Sequence, residues 1–423
     1  MKKRVVVTGL GVIAPNGHGT EAFESALRKG SSGIRFIPEL EDLKFGCRVA
    51  GVPQNLDEIC EKYFTGEQLL AMNSSIKFAC ITAIDAWLDA GFEVPESDSD
   101  RVDWETGAII GTGIGGMDTI GEKIVPMTDA GKVRRLGSTA VEQVMASGVS
   151  AKVGGFLALG NQVTTNSSAC STGTEAIIDA MHRIRSGRAQ RMLAGGSEGV
   201  SPYIWSGFDA MRVLNRTRND EPEKASRPMS ASAAGFIPGS GSGILLLESL
   251  ESALERGVRI YAEVLGGAIN CGGHRMGGSM TAPNPVSVQR CVREALTDAG
   301  INGSEVDAIN GHLTATFADP HEIRNWSQAL ERSPDDLPLV NATKSLIGHA
   351  LGAAGGLESV ACVLQVYRGF VHGSMNCEDL HEELLPYAES IVQQTRETPE
   401  LKIQAKASFG FGDVNTCLIF KKW

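Results

Sequence analysis

At 423 residues the chain exceeds the ~250–300 at which one hydrophobic core usually stops growing, so two domains or one large pseudo-symmetric unit are expected. A net charge of −11 argues against broad nucleic-acid binding and leaves room only for a local basic patch toward an acidic partner. The 42% hydrophobic content is that of an ordinary globular protein, and no run of about 18 apolar residues is present to span a membrane. Nine scattered cysteines with no Cys-x-x-Cys pair suggest neither a zinc site nor a disulfide framework, and a reducing, cytoplasmic setting fits best.

Met1-Lys2-Lys3-Arg4 followed by Val5 to Ala14 has the outline of a signal peptide. Thr8, Gly9 and Gly11 interrupt the apolar run and no convincing small-x-small cleavage site follows, so an N-terminal buried strand, Val5–Val12, is the expectation. Helical patterns come next at Thr20–Arg28 and Ser75–Ala90, then a strand at Thr106–Ile110, a helix at Thr139–Ala146 and a strand at Gln162–Thr165. A helix at Glu175–Arg185 and strands at Arg191–Ala194 and Gly243–Glu248 complete the first part. Several of these strands are continuous apolar runs of the kind buried on both faces. Pro222 to Gly243, rich in Ser, Ala and Gly, reads as an ordered, turn-rich segment near a junction.

After about residue 255 the alternation resumes: strand Ile260–Ala268, helix Ser287–Ala299, strand Ala308–Asn310, and helices Glu322–Ala329 and Ala353–Gln365. Two paired strands, Ile403–Ser408 and Thr416–Lys421, close it. Such alternation predicts α/β layers, and without a low-complexity linker the two halves are expected to share an interface.

Ser167-Ser168-Ala169-Cys170-Ser171-Thr172-Gly173 places a cysteine among small residues that leave room for an acyl group. A helix follows, and unpaired backbone N–H groups with the positive end of its dipole favour thiolate, the nucleophilic form. The bland alternative is a buried cysteine serving as a small hydrophobe at a tight turn. Three more motifs bear on the choice. Asn310-Gly311-His312-Leu313-Thr314-Ala315-Thr316 sets a histidine just past a short apolar strand. Asn341-Ala342-Thr343-Lys344 leads into Gly348-His349-Ala350-Leu351-Gly352, and Ser408-Phe409-Gly410-Phe411-Gly412 with Asn415 forms a terminal glycine-phenylalanine loop.

These motifs, in this order, resemble the elongating 3-oxoacyl-[acyl-carrier-protein] synthases (beta-ketoacyl synthases) of the thiolase superfamily. Arg4 to Gly11, the turn Gly111 to Gly116, Thr217 to Asp220 and Ser226-Arg227-Pro228 resemble the same family, so the likeness covers nearly the whole chain. It implies an α/β, thiolase-like fold of two pseudo-duplicated halves in five αβαβα layers. Residues 1–255 would carry the nucleophile, and residues 256–423 the two histidines and the lysine.

The chemistry is coherent with the residues. A decarboxylative Claisen condensation needs a nucleophile able to carry an acyl thioester, which suits Cys170. It then needs hydrogen-bond donors for the enolate left when a malonyl thioester loses CO₂, and neutral His312 and His349 can supply them. The resemblance adds that the backbone N–H groups of Cys170 and Phe411 form an oxyanion hole, that Lys344 orders the site electrostatically, and that Glu322 is a buried acid contacting the lysine. It implies that Thr281, Thr314 and Thr316 line a pantetheine tunnel, that Ile114 gates the acyl pocket and Phe411 swings with acylation, and that Arg134, Arg135 and Arg218 dock an acidic carrier protein. No metal or separate cofactor is implied, the substrates riding on the phosphopantetheine of an acyl carrier protein. A homodimer is expected, with a heterodimer of related ketosynthase or chain-length-factor subunits as the alternative. The remaining histidines, His18, His182, His274, His321, His372 and His381, read as structural or surface residues.

The chain departs from the family pattern in places. Leu313 stands where glycine is usual, Phe317 where proline is, and Asp413 where a glycine follows Gly412. An acid-containing run is replaced by Met229 to Gly235, including Ala233 and Ala234, and by the small residues Gly239 to Gly243; basic docking residues near Thr65 to Gln68 are missing. These point to an altered pocket or partner, such as a specialised pathway making polyene chains.

Three other functions compete. Gly111-x-Gly113-x-x-Gly116 fits a dinucleotide fingerprint but is not on the first strand and lacks a placeable acid after the next. A degradative thiolase would want a second cysteine in the terminal loop, whereas Cys417 lies in an alternating strand. A non-catalytic chain-length factor would have lost the nucleophile.

Overall fold

The computed structural model describes residues 2–423. In the first half, β1 (Val5–Ala14), β2 (Thr106–Gly111), β3 (Val163–Thr164), β4 (Arg191–Glu198) and β5 (Gly241–Ser249) lie in the order β3-β2-β4-β5-β1. β2 is parallel to β3 and β4; β5 is antiparallel to β4 and to β1.

The second half repeats this. Its strands are β6 (Ala262–Cys271), β7 (Ala308–Asn310), β8 (Leu339–Asn341), β9 (Ile403–Gly410) and β10 (Val414–Lys422), in the order β8-β7-β9-β10-β6. Here too the first two pairings are parallel and the last two antiparallel. Strand order and direction therefore match one for one: the topology is duplicated. Val6 opposite Glu263 and Val7 opposite Ala262 join the halves into one sheet.

Six helices make the remaining layers: α1 (Ser74–Asp89), α2 (Gly148–Phe156), α3 (Thr172–Arg185), α4 (Pro285–Ala299), α5 (Asp319–Leu330) and α6 (Ala354–Arg368). α1 packs on β1, β5 and β4, with α2 beside it, while α4 packs on β6 and β10, with α5 beside it. α3 and α6 touch each other and strands of both halves, so they form the middle layer of five. A helix apolar on all sides belongs in such a place. Every residue of α6 from Ala354 to Val366 is buried.

Close packing explains particular residues. At Gly9 and Gly11 of β1, an added Cβ would sit 2.0 Å from the Ala86 carbonyl and 1.8 Å from that of Thr82, so only glycine lets α1 lie this near the strand. Asn73 caps α1 by accepting from the Ile76 N–H, and Asn284 caps α4.

Several helices have no counterpart in the sequence expectations, among them Leu56–Tyr63, Leu250–Arg256, Pro202–Ala210 and α2. Pro202–Ala210 starts at a Ser201 cap with proline in its first position, and α2 is Gly- and Ser-containing, which hides its periodicity. The helix expected at Thr139–Ala146 is the shorter Ala140–Val144. The turn-rich segment from Pro222 is ordered, with bridges from Phe236 to Leu214, Pro238 to His349 and Gly239 to Gly51. Among the described residues no helix is long and apolar enough to cross a membrane.

Leu357 is fully buried on α6 at the centre of these layers. Leu357→Ala is expected to lower the unfolding free energy by about 2–5 kcal/mol, read from chemical denaturation.

Candidate active site

Cys170 lies in a single 3-10 turn, Ala169–Ser171, that feeds directly into α3. Ala169 holds a left-handed backbone (φ 50°), unusual for a residue with a Cβ. The turn is locked by its own side chains: Thr172 Oγ1 accepts from the Ser168 N–H (2.8 Å) and donates to the Ala169 carbonyl (2.6 Å). Ser171 Oγ reaches the carbonyls of Ser408 (3.1 Å) and Val414 (2.9 Å), tying the turn to β9 and β10. Gly410 closes the gap, since a Cβ there would come within 2.9 Å of the Ser168 carbonyl. Cys170 is thus presented by one half and braced by the other.

The second half delivers both imidazoles to the sulfur. His349 Nε2 is 3.1 Å from Cys170 Sγ, and the His312 and His349 rings meet edge to face at 5.3 Å. One polar atom from each of the three side chains lies within 4.8 Å of the others. The Leu351 N–H donates to His349 Nδ1 (3.2 Å), so a neutral His349 carries its hydrogen on Nε2, facing the sulfur. Lys344 Nζ donates to His312 Nδ1 (3.4 Å), which assigns the His312 hydrogen to Nε2 as well. Burial, reinforced by the Lys344 charge, holds both imidazoles well below the ordinary histidine pKa and hence neutral. The result is two neutral imidazoles, each carrying an N–H donor, beside one thiol.

Cysteine with two histidines is also a set that can ligate a metal. Here two members hydrogen-bond each other, and the buried Lys344 beside the third opposes another cation. The Cys170 thiol itself corrects the expectation from its helix N-terminus: burial pushes it up to about 11, although Lys344 and the backbone N–H of Phe411 pull it down. At neutral pH it is chiefly a thiol.

Glu322 also differs from expectation. It does not hydrogen-bond Lys344; it accepts the backbone N–H groups of His312 (2.6 Å) and Leu313 (2.8 Å) from the first turn of α5. Asp319, one turn earlier, accepts those of Thr314 (2.9 Å), Ala315 (3.1 Å) and Met229 (2.8 Å). Burial raises both acids, Asp319 to about 6 and Glu322 to about 7. Together they moor the loop that carries His312. The carboxylate that pairs with Lys344 is Glu358, on α6. Its second oxygen takes Lys406 of β9 at 2.6 Å. Neither Glu358 nor Lys406 is among the residues singled out from the sequence.

The other candidates lie in varied settings. Phe411 packs near Phe208 (6.2 Å between rings), and its neighbour Gly412 donates to the Met280 carbonyl (2.8 Å), drawing in the loop that carries exposed Thr281. Thr314 and Thr316 are half-buried with hydroxyls 3.1 Å apart. Ile114 is partly exposed on the glycine turn. That turn is no phosphate cradle: the N–H groups of Gly113 (2.8 Å) and Ile114 (3.2 Å) are already accepted by buried Glu198, which also takes the Gly352 N–H (2.9 Å). The dinucleotide alternative loses its donors. Arg134 and Arg135 are exposed, while Arg218 is ion-paired with Glu221 at 2.9 Å.

Residues 2–253 match the family described as "Beta-ketoacyl synthase, N-terminal domain", and residues 261–378 match its "C-terminal domain". The chain belongs to the beta-ketoacyl synthase family. A 3-oxoacyl-[acyl-carrier-protein] synthase 2 of Synechocystis sp. is 36% identical over 429 residues, covering 100% of this chain and 99% of that protein. The chloroplastic 3-oxoacyl-[acyl-carrier-protein] synthase I of Arabidopsis thaliana is 34% identical over 99% of this chain and 86% of its own length. Among solved structures, the ishigamide ketosynthase/chain length factor superposes with a TM-score of 0.89 at 29% identity, covering 100% of both chains. A type II polyketide ketosynthase solved with its acyl-carrier protein gives 0.87 at 28%, again over 100% of both.

As a beta-ketoacyl synthase the chain accommodates its departures at definite positions. Leu313 takes φ 22° and Asp413 φ 61°, both left-handed, as glycine would. Leu313 is buried among the second half's apolar residues, and the Asp413 carboxylate accepts the N–H groups of Asn284 (2.8 Å) and His274 (3.1 Å). Phe317 is 81% exposed. The Met229–Gly235 run folds onto the His312 loop, Gly235 donating to the Ala315 carbonyl at 3.0 Å.

The raised thiol pKa has a direct readout. Alkylation of Cys170 by iodoacetamide, followed by peptide mass, should accelerate steadily from pH 7 toward about 11 as thiolate accumulates. A plateau by pH 7 would contradict it.

Proposed function

We propose that this beta-ketoacyl synthase elongates acyl chains carried on an acyl carrier protein, with Cys170, His312, His349 and Lys344 as its machinery. One observation carries the reading: a buried thiol faces two imidazole N–H groups supplied by the other half of the fold. Cys170 sulfur attacks the acyl thioester of the carrier, and the pantetheine thiol departs with the cysteine proton. Malonyl carrier then enters, its bond to CO₂ breaks, and the electron pair becomes an enolate whose oxygen accepts from the His312 and His349 Nε2–H groups. Because both rings are neutral they hold the enolate without protonating its carbon. That carbon attacks the Cys170 thioester, the backbone N–H groups of Cys170 and Phe411 receive the oxyanion, and the C–S bond breaks, releasing a chain two carbons longer and Cys170 as a thiolate that takes up a proton from water. Lys344 touches His312 Nδ1 and so keeps the donor hydrogen on Nε2.

Thr314, Thr316 and Thr281 are proposed to hold the pantetheine arm, Ile114 to limit the acyl pocket, and Arg134, Arg135 and Arg218 to meet the acidic carrier. Residues 1–255 and 256–423 are proposed as the two domains of a cytoplasmic dimer. A second reading is a ketosynthase paired with a related subunit, favoured by the near-complete superposition on the ishigamide ketosynthase/chain length factor. The Leu313, Phe317 and Asp413 departures fit a specialised, polyene-type substrate range.

Intact-mass analysis with acyl carriers and malonyl carrier tests this. Acylation confined to Cys170 and products longer by two carbons are expected; acylation elsewhere or no elongation would refute it. His312→Ala should reduce malonyl decarboxylation on the order of 10²–10⁴-fold while leaving self-acylation largely intact. Loss of acylation alone would overturn the assigned role.

A further inference from the structure

Lys406 is fully buried in β9, where alternation sends Ile403, Ala405 and Ala407 into the second half's apolar core and Lys406 toward α6. Its ammonium lies 2.6 Å from Glu358 Oε2 and 2.8 Å from Ser408 Oγ. Glu358 Oε1 is taken by Lys344, which in turn abuts His312. One buried carboxylate therefore carries a lysine on each oxygen.

We propose that Lys406 is a positioning residue for the condensation: by occupying the second oxygen of Glu358 it keeps the first aimed at Lys344, and so fixes Lys344 against His312. This rests on the condensing reading above. A single lysine is enough to neutralise Glu358, so replacing Lys406 alone leaves the Lys344–Glu358 pair balanced rather than an uncompensated buried charge. Retaining a second lysine leaves a net positive centre beneath the imidazoles. The groups facing it are Glu358 and Cys362 of α6, Lys344, His312, His349 and Cys417 of β10. Glu322 faces Lys344, and His372 faces Glu358. Of these, only Glu358 and Glu322 bring negative charge, and burial raises Glu322 toward neutrality at about 7. Positive charge from Lys406 disfavours protonation of both histidines, adding to burial and Lys344.

The test is Lys406→Met, which keeps the stem and removes the charge. Once circular dichroism shows the variant folded, condensation kcat should fall about tenfold or more with little change in KM for the carriers. The His312 and His349 imidazole titrations, followed by NMR without substrate, should move up by about one pH unit, equivalent to a tenfold change in proton affinity. The acidic limb of the rate profile should move with them. Lys406→Arg, restoring a cation, should return the titrations toward wild type. A folded Lys406→Met protein with unchanged kcat and unchanged titrations overturns the proposal. If Lys406→Met does not fold, Ser408→Ala, which loosens the ammonium and keeps its charge, should lower kcat; unchanged kcat there overturns it equally. Failure of wild-type protein to condense would refute the proposed function, and the titrations would still decide the part played by Lys406.

Discussion

A carboxylate in the middle layer of a five-layered protein can stay ionised only if opposite charge is brought to it. Glu358 sits there, fully buried on a helix enclosed by both halves of the sheet. Lys344 and Lys406 answer it from two different elements, and Lys344 alone continues outward to a reacting group. Through Lys344 that buried charge bears on the tautomer of His312, and the two lysines it holds both lower the proton affinity of the imidazoles. Remove it, and two lysines are left in a low-dielectric core with nothing to hold them in register.

The duplicated topology explains why the chemistry sits where it does. Each half ends its parallel strands at the same edge, and short loops after those strands carry the useful side chains. The first half contributes a sulfur at the start of α3; the second contributes two rings and a lysine around α5 and α6. Neither half holds a complete set. The α3–α6 layer that packs the halves together is also the platform on which their loops meet.

Much of the layer architecture was legible from strand–helix alternation, because long apolar runs and amphipathic helices have strong periods. Cys170, His312, Lys344, His349 and Phe411 were legible because each lies in a short run of unusual residues at a strand or helix end. Glu358 and Lys406 were not, for opposite reasons. Glu358 is a single acid inside an apolar helix with no motif of its own. Lys406 belongs to Ile-Gln-Ala-Lys-Ala-Ser, the alternation of a strand with one wet face, yet that face looks inward onto α6. Glu322 was found at the right place but with the wrong partner, since two backbone N–H groups reach it first. Helix Pro202–Ala210 and the three-residue β8 were too short for periodicity to announce.

Proteins are synthesised from the N-terminus, and domains generally fold as units in that order. Cys170 emerges from the ribosome long before His349, and the backbone N–H of Phe411 comes later still. Throughout that interval the thiol lacks Lys344 and the Phe411 backbone N–H, the two groups that lower its pKa in the folded chain. The site is therefore complete only when the last strands of the second half seat against the turn that carries the sulfur.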